Sequence, residues 1–341
     1  MLLNEPPSAA EDGTRGRAAR RPRELPRRGW RDVLLRVFHR IGEDNVTLIS
    51  AGIAFNAMFA VFPALILLVS IYGMFASPAS VEMHLRHFMS VMPHGAAQLL
   101  ESQLKGIAAR ANGTLDVGAA VSLVVTLWSS IQGSSALITA TNIAYHEPER
   151  RGYFALLGLA LLFTFGALLG FILLLALGVA VPFVVHVLPL GPITRLVALA
   201  VRWVLLWSFA ALLLSAVYRF APCRENARWS WVSWGSVIAS TLWLAASVLF
   251  ALYVQSIANY GKIYGALGAV MVLLMWFYIG SFASVLGAEL DAELEHQTAL
   301  DTTTGPPEPM GRRGAYMADT LGTIPRRRSE SPKSANPSSG R

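Results

Sequence analysis

The chain has 341 residues, of which 54% are hydrophobic and only 14% are charged. Soluble domains carry about 25% charged residues, so the composition excludes an ordinary soluble protein. The net charge of +7 lies in the ends and short loops, which favours contact with anionic phospholipid headgroups over a specific nucleic-acid site. The single cysteine, Cys223, excludes an internal disulfide.

The N-terminal region divides into two parts. Residues 1–29 are rich in Pro, Arg and Ala and are predicted to form a disordered basic arm. Residues 30–44 form an amphipathic helix, with apolar residues at helical spacing and basic residues elsewhere around it. This helix lies either in the headgroup plane of a membrane or against the end of a helix bundle. Both interpretations place it at the inner leaflet.

Residues 45–296 contain six long apolar runs. Each is long enough to cross the hydrocarbon core of a bilayer, which takes about 20 residues in a helix. Because lipid offers no partner to backbone groups, each run must be helical. The sequence therefore predicts an all-α polytopic membrane protein with six transmembrane helices. The runs are 46–75, 116–142, 153–186, 193–219, 232–256 and 264–290.

The distribution of Arg and Lys predicts the orientation. These residues concentrate before the first run, in the second and fourth loops and after the last run, whereas the alternate loops hold few. The positive-inside rule then puts both termini in the cytoplasm of a bacterium, with the protein in its inner membrane. The first outer loop, about 76–115, is expected to form a short helical hairpin. Residues 297–341, rich in Thr, Pro, Gly and Ser, are expected to be a disordered cytoplasmic tail.

The second run carries a polar stripe at helical spacing. Its members stay within an arc of about 140°, so they line one side of the helix. Polar side chains at membrane depth must face protein or water. The stripe therefore indicates either hydrogen bonds between helices or a polar cavity that serves as a substrate path. Its members are Ser129, Gln132, Ser135, Thr139 and Asn142.

Three residues in other runs are candidates for the same path. Asn56 lies near the middle of the first run, and Pro63 about two turns later predicts a kink. Arg202 lies inside the fourth run. Its side chain either extends to the outer interface or places a fixed positive charge in a cavity, where it would bind an anionic group.

The end of the last run and the residues that follow it carry three acidic side chains, Glu289, Asp291 and Glu293. Asp291 shares a face with the small residues Gly280, Ser284 and Gly287, which indicates a packing seam. It needs a partner there, and Arg219 or Arg224 from the fourth loop is the expected one. Glu289 and Glu293 project from the opposite side and are expected to face the cytoplasmic rim.

The second half of this region carries a series of motif residues, which are Asn259, Tyr260, Tyr264, Gly265, Gly268, Trp276, Gly287, Glu289, Asp291 and Glu293. Together with the segment around Asn56, these motifs resemble the YihY/BrkB membrane protein family, whose members were once labelled ribonuclease BN. The resemblance covers about residues 30–296 and implies a six-helix inner-membrane protein. Two positions depart from the family pattern, because Asp291 stands where Asn is usual and Asn56 where tyrosines are common.

These features favour a transporter or flippase-like protein for a lipidic or anionic solute. The alternative is a structural or scaffold protein of the envelope, since the resemblance also covers relatives tied to serum resistance. The chain has no phosphate-cradling loop, nucleophile elbow or zinc motif. We therefore expect no ribonuclease or other enzyme activity, no catalytic residue, no metal and no cofactor. The sequence leaves the substrate and the oligomeric state open.

Overall fold

The computed structural model describes residues 14–75, 117–187, 191–256 and 266–323. The described chain is helical, apart from one isolated bridge between Ala227 and Thr303. Its six long helices begin and end within a few residues of the six apolar runs. In chain order the helices are α1 Arg27–Glu43, α2 Val46–Phe75, α3 Val117–Ala144, α4 Tyr153–Val187, α5 Pro192–Phe220, α6 Trp229–Ser256, α7 Ala266–Glu295 and α8 Tyr316–Asp319.

Helices α2 to α7 form a closed ring. Each packs against its neighbours in sequence, and α7 closes the ring on α2 while also touching α3. Sequential neighbours joined by short loops are antiparallel, as in an up-and-down bundle. The ring places the start of α2 and the end of α3 side by side, where His146 lies 3.6 Å from Asp44.

Four helices carry apolar windows long enough to cross a membrane, counting only the part of the chain that the structure describes. These windows are Tyr153–Gly170, Leu196–Phe220, Trp229–Val254 and Val270–Glu295, and α2 adds a shorter apolar stretch, Val46–Ala60. Many large apolar side chains in them face outward, such as Leu162 at 65% exposure and Leu249 at 67%. Outward apolar surface of this extent is typical of helices in contact with lipid. The chain is thus an all-α membrane protein.

Burial concentrates at one end of the ring, which we call the packed end. It comprises the start of α2, the end of α3, the α5–α6 loop and the end of α7. It also includes the described residues that precede α2 and those that follow α7 in the sequence. Tyr145, Tyr218 and Val232 are fully buried here around Ala288 and Ala292. A second cluster joins α1 to α6 and α7, with Val33, Val37, Trp231, Leu290 and Leu294 at its centre.

The terminal segments differ from the disorder expected for 1–29 and 297–341 wherever they are described. Residues 14–25 and 296–323 pack on each other: the Arg17 guanidinium donates to the carbonyl of Gly322 at 2.5 Å, and Ala299 N–H donates to the carbonyl of Arg17 at 2.7 Å. Both segments therefore lie at the packed end. The composition of each segment predicts disorder because it does not show that polar groups of one segment form hydrogen bonds with the other segment.

Helix α1 lies across the packed end. Val33 and Val37 are buried against α6 and α7, whereas Leu34 is 55% and Phe38 is 73% exposed. Part of the apolar face therefore packs on the bundle, which is one of the two interpretations of its sequence. The predicted hairpin at 76–115 lies outside the described residues, and so do the motif residues Asn259, Tyr260, Tyr264 and Gly265.

Candidate functional site

The last two turns of α7 carry four buried acidic side chains at every second position. Successive members are 200° apart on a helix, so Glu289 and Glu293 share one side and Asp291 and Glu295 share the other. All four are at most 1% exposed. The sequence predicts that the two glutamates of the first side face the cytoplasmic rim. They lie at the packed end, where α1 and the terminal segments cover that side and bury both side chains.

On the first side, Glu293 is contacted by two arginines and a histidine. Its carboxylate accepts from Arg36 Nε at 2.5 Å and from Arg40 Nε at 3.3 Å, and His296 Nδ1 lies 3.4 Å away. Arg36 also donates to Gln297 Oε1 at 2.8 Å. This network ties α1 to the end of α7, and breaking one partner of such a buried pair leaves an uncompensated charge.

Glu289, one turn earlier on the same side, is in a different situation. Both of its carboxylate oxygens are buried and accept no hydrogen bond from any described residue. The charged groups that act on it are Asp44, Glu293 and Arg40, and Arg40 is already engaged by Glu293 and Glu43. A buried carboxylate without a donor is costly unless it is neutralised.

On the second side, Glu295 forms a two-pronged pair with Arg224. Arg224 donates to both of its oxygens at 2.8 Å, and Thr302 donates to Oε2 at 3.0 Å. The same guanidinium lies 4.0 Å from the centroid of the Tyr145 ring. Burial works against its charge, but the pair with Glu295 outweighs burial and raises the pKa of Arg224. Burial also raises the pKa of the Tyr145 hydroxyl well above its usual value, so it stays neutral.

Asp291 pairs with neither of the expected arginines. Its Oδ1 accepts the backbone N–H of Gly235 in α6 at 2.6 Å. Arg224 belongs to Glu295, and Arg219 lies over the Trp229 ring at 4.6 Å. Gly235 permits this contact because a Cβ there would lie 2.6 Å from Asp291 Cγ. The small-residue seam is therefore real, and the aspartate meets a backbone donor across it.

Asn142, the last residue of the polar stripe of α3, connects two loops. Asn142 is buried at the packed end, where it donates to Glu149 Oε2 at 2.9 Å and accepts from Cys223 N–H at 2.7 Å. It thereby joins the α3–α4 loop to the α5–α6 loop. Partial burial raises the pKa of Glu149, but hydrogen bonds from Arg151 and Asn142 outweigh it and lower this pKa to about 2. Asn142 is thus occupied by protein at the packed end.

The other stripe residues lie deeper in the ring. Ser129 is buried, Ser135 is half-buried, and the exposed Thr139 donates to the carbonyl of Ser135 at 3.0 Å. Gln132 is exposed although it lies twelve residues before Ala144, or about 18 Å along the helix. This exposed amide near the middle of α3 is the feature of the stripe that packing between described residues does not explain.

Asn56 is brought next to this part of α3, whereas Arg202 is not. A Cβ at Gly133 would lie 3.9 Å from Asn56 Cβ, and Asn56 donates to the carbonyl of Gly52 at 3.1 Å. Arg202 belongs to α5, which packs between α4 and α6, and its guanidinium lies 5.1 Å from the Trp203 ring centroid. Pro63 lies within α2, but its side chain is outside the described part.

The remaining motif residues act in packing between α6 and α7. Trp276 donates to Ser247 Oγ at 3.2 Å, and a Cβ at Gly287 would lie 2.6 Å from Ala239 Cβ. Gly268 is buried near the start of α7. Sequence reasoning missed Arg36 and Arg40 as partners of the acidic turns, and their spacing of four residues on the helix facing α7 was the available signal.

The comparisons with known proteins agree with this architecture. The model of the virulence factor BrkB family matches residues 37–311. The ribonuclease-like protein YfkH of Bacillus subtilis (strain 168) is 28% identical over 74% of this chain and 90% of its own length. A UPF0761 membrane protein of Cronobacter sakazakii (strain ATCC BAA-894) is 26% identical over 75% and 86%, and one of Albidiferax ferrireducens is 24% identical over 79% and 64%. No solved structure matches. The resemblance read from the motifs is confirmed, and this chain belongs to the virulence factor BrkB family of membrane proteins.

Proposed function

We propose that this protein crosses the bacterial inner membrane six times and provides a path for a lipidic or anionic solute. The observation that supports this proposal is the exposed amide of Gln132, which lies about 18 Å along α3 from Ala144. The next residue, Gly133, faces Asn56 on the adjacent helix. Lipid solvates an amide poorly, so such a group must face protein or water. In our proposal Gln132 faces water between the helices of the ring.

The depth of the two amides supports a common site. Asn56 lies ten residues after Val46 and Gln132 twelve residues before Ala144, so both are about 15–18 Å from the packed end. Arg202 lies eighteen residues before Phe220, or about 27 Å from that end. In our proposal the arginine acts at the opposite mouth of the path, where it attracts an anionic group, rather than beside the two amides.

We also propose that the packed end faces the cytoplasm. Described arginines cluster there, in the terminal segments, in α1 and in the loops before α4 and α6, whereas the described part of the opposite end carries Arg195. This distribution follows the positive-inside rule. Cys223 lies in the cluster and allows a direct test. A membrane-impermeant thiol reagent should label it in inside-out vesicles and not in right-side-out vesicles.

The path is tested by thiol accessibility at Gln132. In a Cys223→Ser background, Gln132→Cys should react with a small charged thiol reagent in reconstituted vesicles. Phe165→Cys is the matched control, since Phe165 is 56% exposed and lies twelve residues from the start of α4, at the same depth. Negligible reaction of the thiol reagent at both positions would contradict the proposal of a water-filled path.

Transport itself is tested in vesicles that contain fluorescent phosphatidylglycerol. The wild-type protein should speed its movement between leaflets, Gln132→Leu should slow it, and Phe165→Leu should leave it unchanged. No acceleration by the wild-type protein for this lipid or for small organic anions would favour the scaffold alternative. The packed end, where the terminal segments form a folded surface, is then the part that would bind partners.

The ribonuclease-like name belongs to the Bacillus protein and does not enter our proposal. Nuclease chemistry with metal ions needs free carboxylates that converge on one point. In this chain Glu293 is paired with Arg36 and Glu295 with Arg224. The described residues contain no group of three His, Cys, Asp or Glu side chains placed to hold a metal ion.

A further inference from the structure

A groove of about 590 Å³ runs along α1 on the side away from the buried core. Its lining is largely apolar, and two arginines border it. The apolar part is formed by Leu25, Trp30, Leu34 and Phe38, and the charged part by Arg27 and Arg31. Leu34 and Phe38 are 55% and 73% exposed to the space outside the described chain.

The opposite side of α1 is fixed, so the groove cannot turn inward. Asp32 is paired with Arg15 at 2.6 Å, and Arg36 is paired with Glu293. Val33 and Val37 are buried in the same direction. These contacts hold the exposed stripe outward, and the groove is therefore a permanent feature of the folded packed end.

The groove lies at the level of the membrane interface. The Trp30 ring packs edge-on against Trp234 at 5.6 Å, and Trp234 is five residues into α6, or about 7.5 Å from its start. Trp229, at the first position of α6, is 45% exposed. Tryptophans at both depths mark the belt where headgroups meet acyl chains. An apolar groove at this level opens toward lipid.

Arg27 and Arg31 give the groove its charge preference. They are one turn apart on α1, both are exposed, and neither forms an ion pair with a described residue. They lie at the N-terminal end of the exposed stripe, and Leu34 and Phe38 lie further along it. The stripe is about 16 Å long from Arg27 to Phe38. Two guanidinium groups followed by an apolar strip match a phosphate followed by a hydrocarbon chain.

We propose that this groove binds one anionic phospholipid of the adjacent leaflet. The phosphate lies between Arg27 and Arg31, and an acyl chain lies along Leu34 and Phe38. The site is separate from the ring interior, so it stands or falls independently of transport. It makes α1 a lipid-binding element that senses the charge of the leaflet at the packed end.

The test is native mass spectrometry of the full chain in detergent, titrated with dioleoyl phosphatidylglycerol or dioleoyl phosphatidylcholine. The wild-type protein should bind the anionic lipid more tightly. Each basic residue near a membrane surface contributes about 1 kcal/mol, so Arg27→Gln with Arg31→Gln should weaken that binding by about tenfold to thirtyfold. The matched control, Arg28→Gln with Arg312→Gln, removes the same charge from exposed residues outside the groove and should have less than a twofold effect.

Two further arms separate a lipid from other occupants. Leu34→Ser with Phe38→Ser should weaken both lipids, and soluble glycerol phosphate should not compete with the anionic lipid. All substituted side chains are exposed, so the variants should melt like the wild type. Three results would overturn the proposal. They are equal losses in the two arginine pairs, displacement by glycerol phosphate, and a tenfold gain in lipid binding on removal of residues 1–13, which would assign the groove to the chain's own N-terminus.

Discussion

Two glutamates one turn apart on α7 should respond in opposite ways to the same substitution. Glu293→Gln removes the acceptor of Arg36, Arg40 and His296, and leaves the buried Arg36 without its counter-charge. Glu289→Gln removes a carboxylate that has no hydrogen-bond donor among the described residues. The first variant should therefore be destabilised, whereas the second should be as stable as the wild type or more stable.

The expected size follows from the burial of the pair. Removing one partner of a buried ion pair costs about 3–5 kcal/mol, and Glu293 and Arg36 have side-chain exposures of 0% and 8%. This is a large part of a total stability of about 5–15 kcal/mol. With a melting shift of about 2 °C per kcal/mol for a chain of this size, Tm should fall by about 6–10 °C. Glu289→Gln should shift Tm by about 0 to +4 °C, because a buried neutral amide has a lower desolvation cost than a buried carboxylate.

The assay is thermal unfolding of the purified variants in one detergent, followed by the intrinsic fluorescence of the chain's 9 tryptophans. Arg36→Gln alone and Arg36→Gln with Glu293→Gln complete a double-mutant cycle. The double variant should recover part of the loss, since it leaves no unpaired charge at that contact. Similar losses in Glu289→Gln and Glu293→Gln, or strict additivity in the cycle, would refute the assignment of the pair.

Three other outcomes test separate parts of the structure. Gly235→Ala should lower Tm strongly, because its Cβ would lie 2.6 Å from Asp291 Cγ, whereas Gly158→Ala has open space and should be neutral or stabilising in the same melting assay. Glu149→Gln should be less stable than the wild type at pH 7. Because hydrogen bonds lower the pKa of Glu149 to about 2, this difference should persist above about pH 4 and shrink as the pH falls toward 2, which chemical unfolding across pH would show. Cys223 should become more reactive toward thiol reagents in Asn142→Ala, since the amide of Asn142 holds its backbone.

The long helices could be predicted from the sequence because hydrocarbon imposes a simple rule. Any crossing must be a helix of sufficient apolar length, and the run 46–75 coincides with α2. The periodicity of the last run likewise placed Asp291 on the side of Gly287 and separated it from Glu289 and Glu293. Local spacing was sufficient for these conclusions, since they concern one helix at a time.

Contacts between distant segments could not be predicted in the same way. Arg17 and Gly322 are joined by a hydrogen bond across 305 positions, and the composition of each segment by itself is typical of disorder. The partner of Asp291 was missed because a backbone N–H has no signature in the sequence. Helix spacing also grouped Asn142 with Gln132, yet one amide ties two loops together while the other remains exposed.

The interlocked ends of the chain have a consequence for biosynthesis. Arg17 and Arg36 leave the ribosome long before Glu293 and Gly322, which they contact in the folded protein. The packed end can therefore close only after the last helix has been inserted and about 25 further residues have been made. Until then the early arginines remain solvated and available to the translocation machinery and to headgroups. A nascent chain that stops before this point would lack the contacts of the packed end. Incomplete chains would therefore differ from the complete protein in the exposed surface at this end.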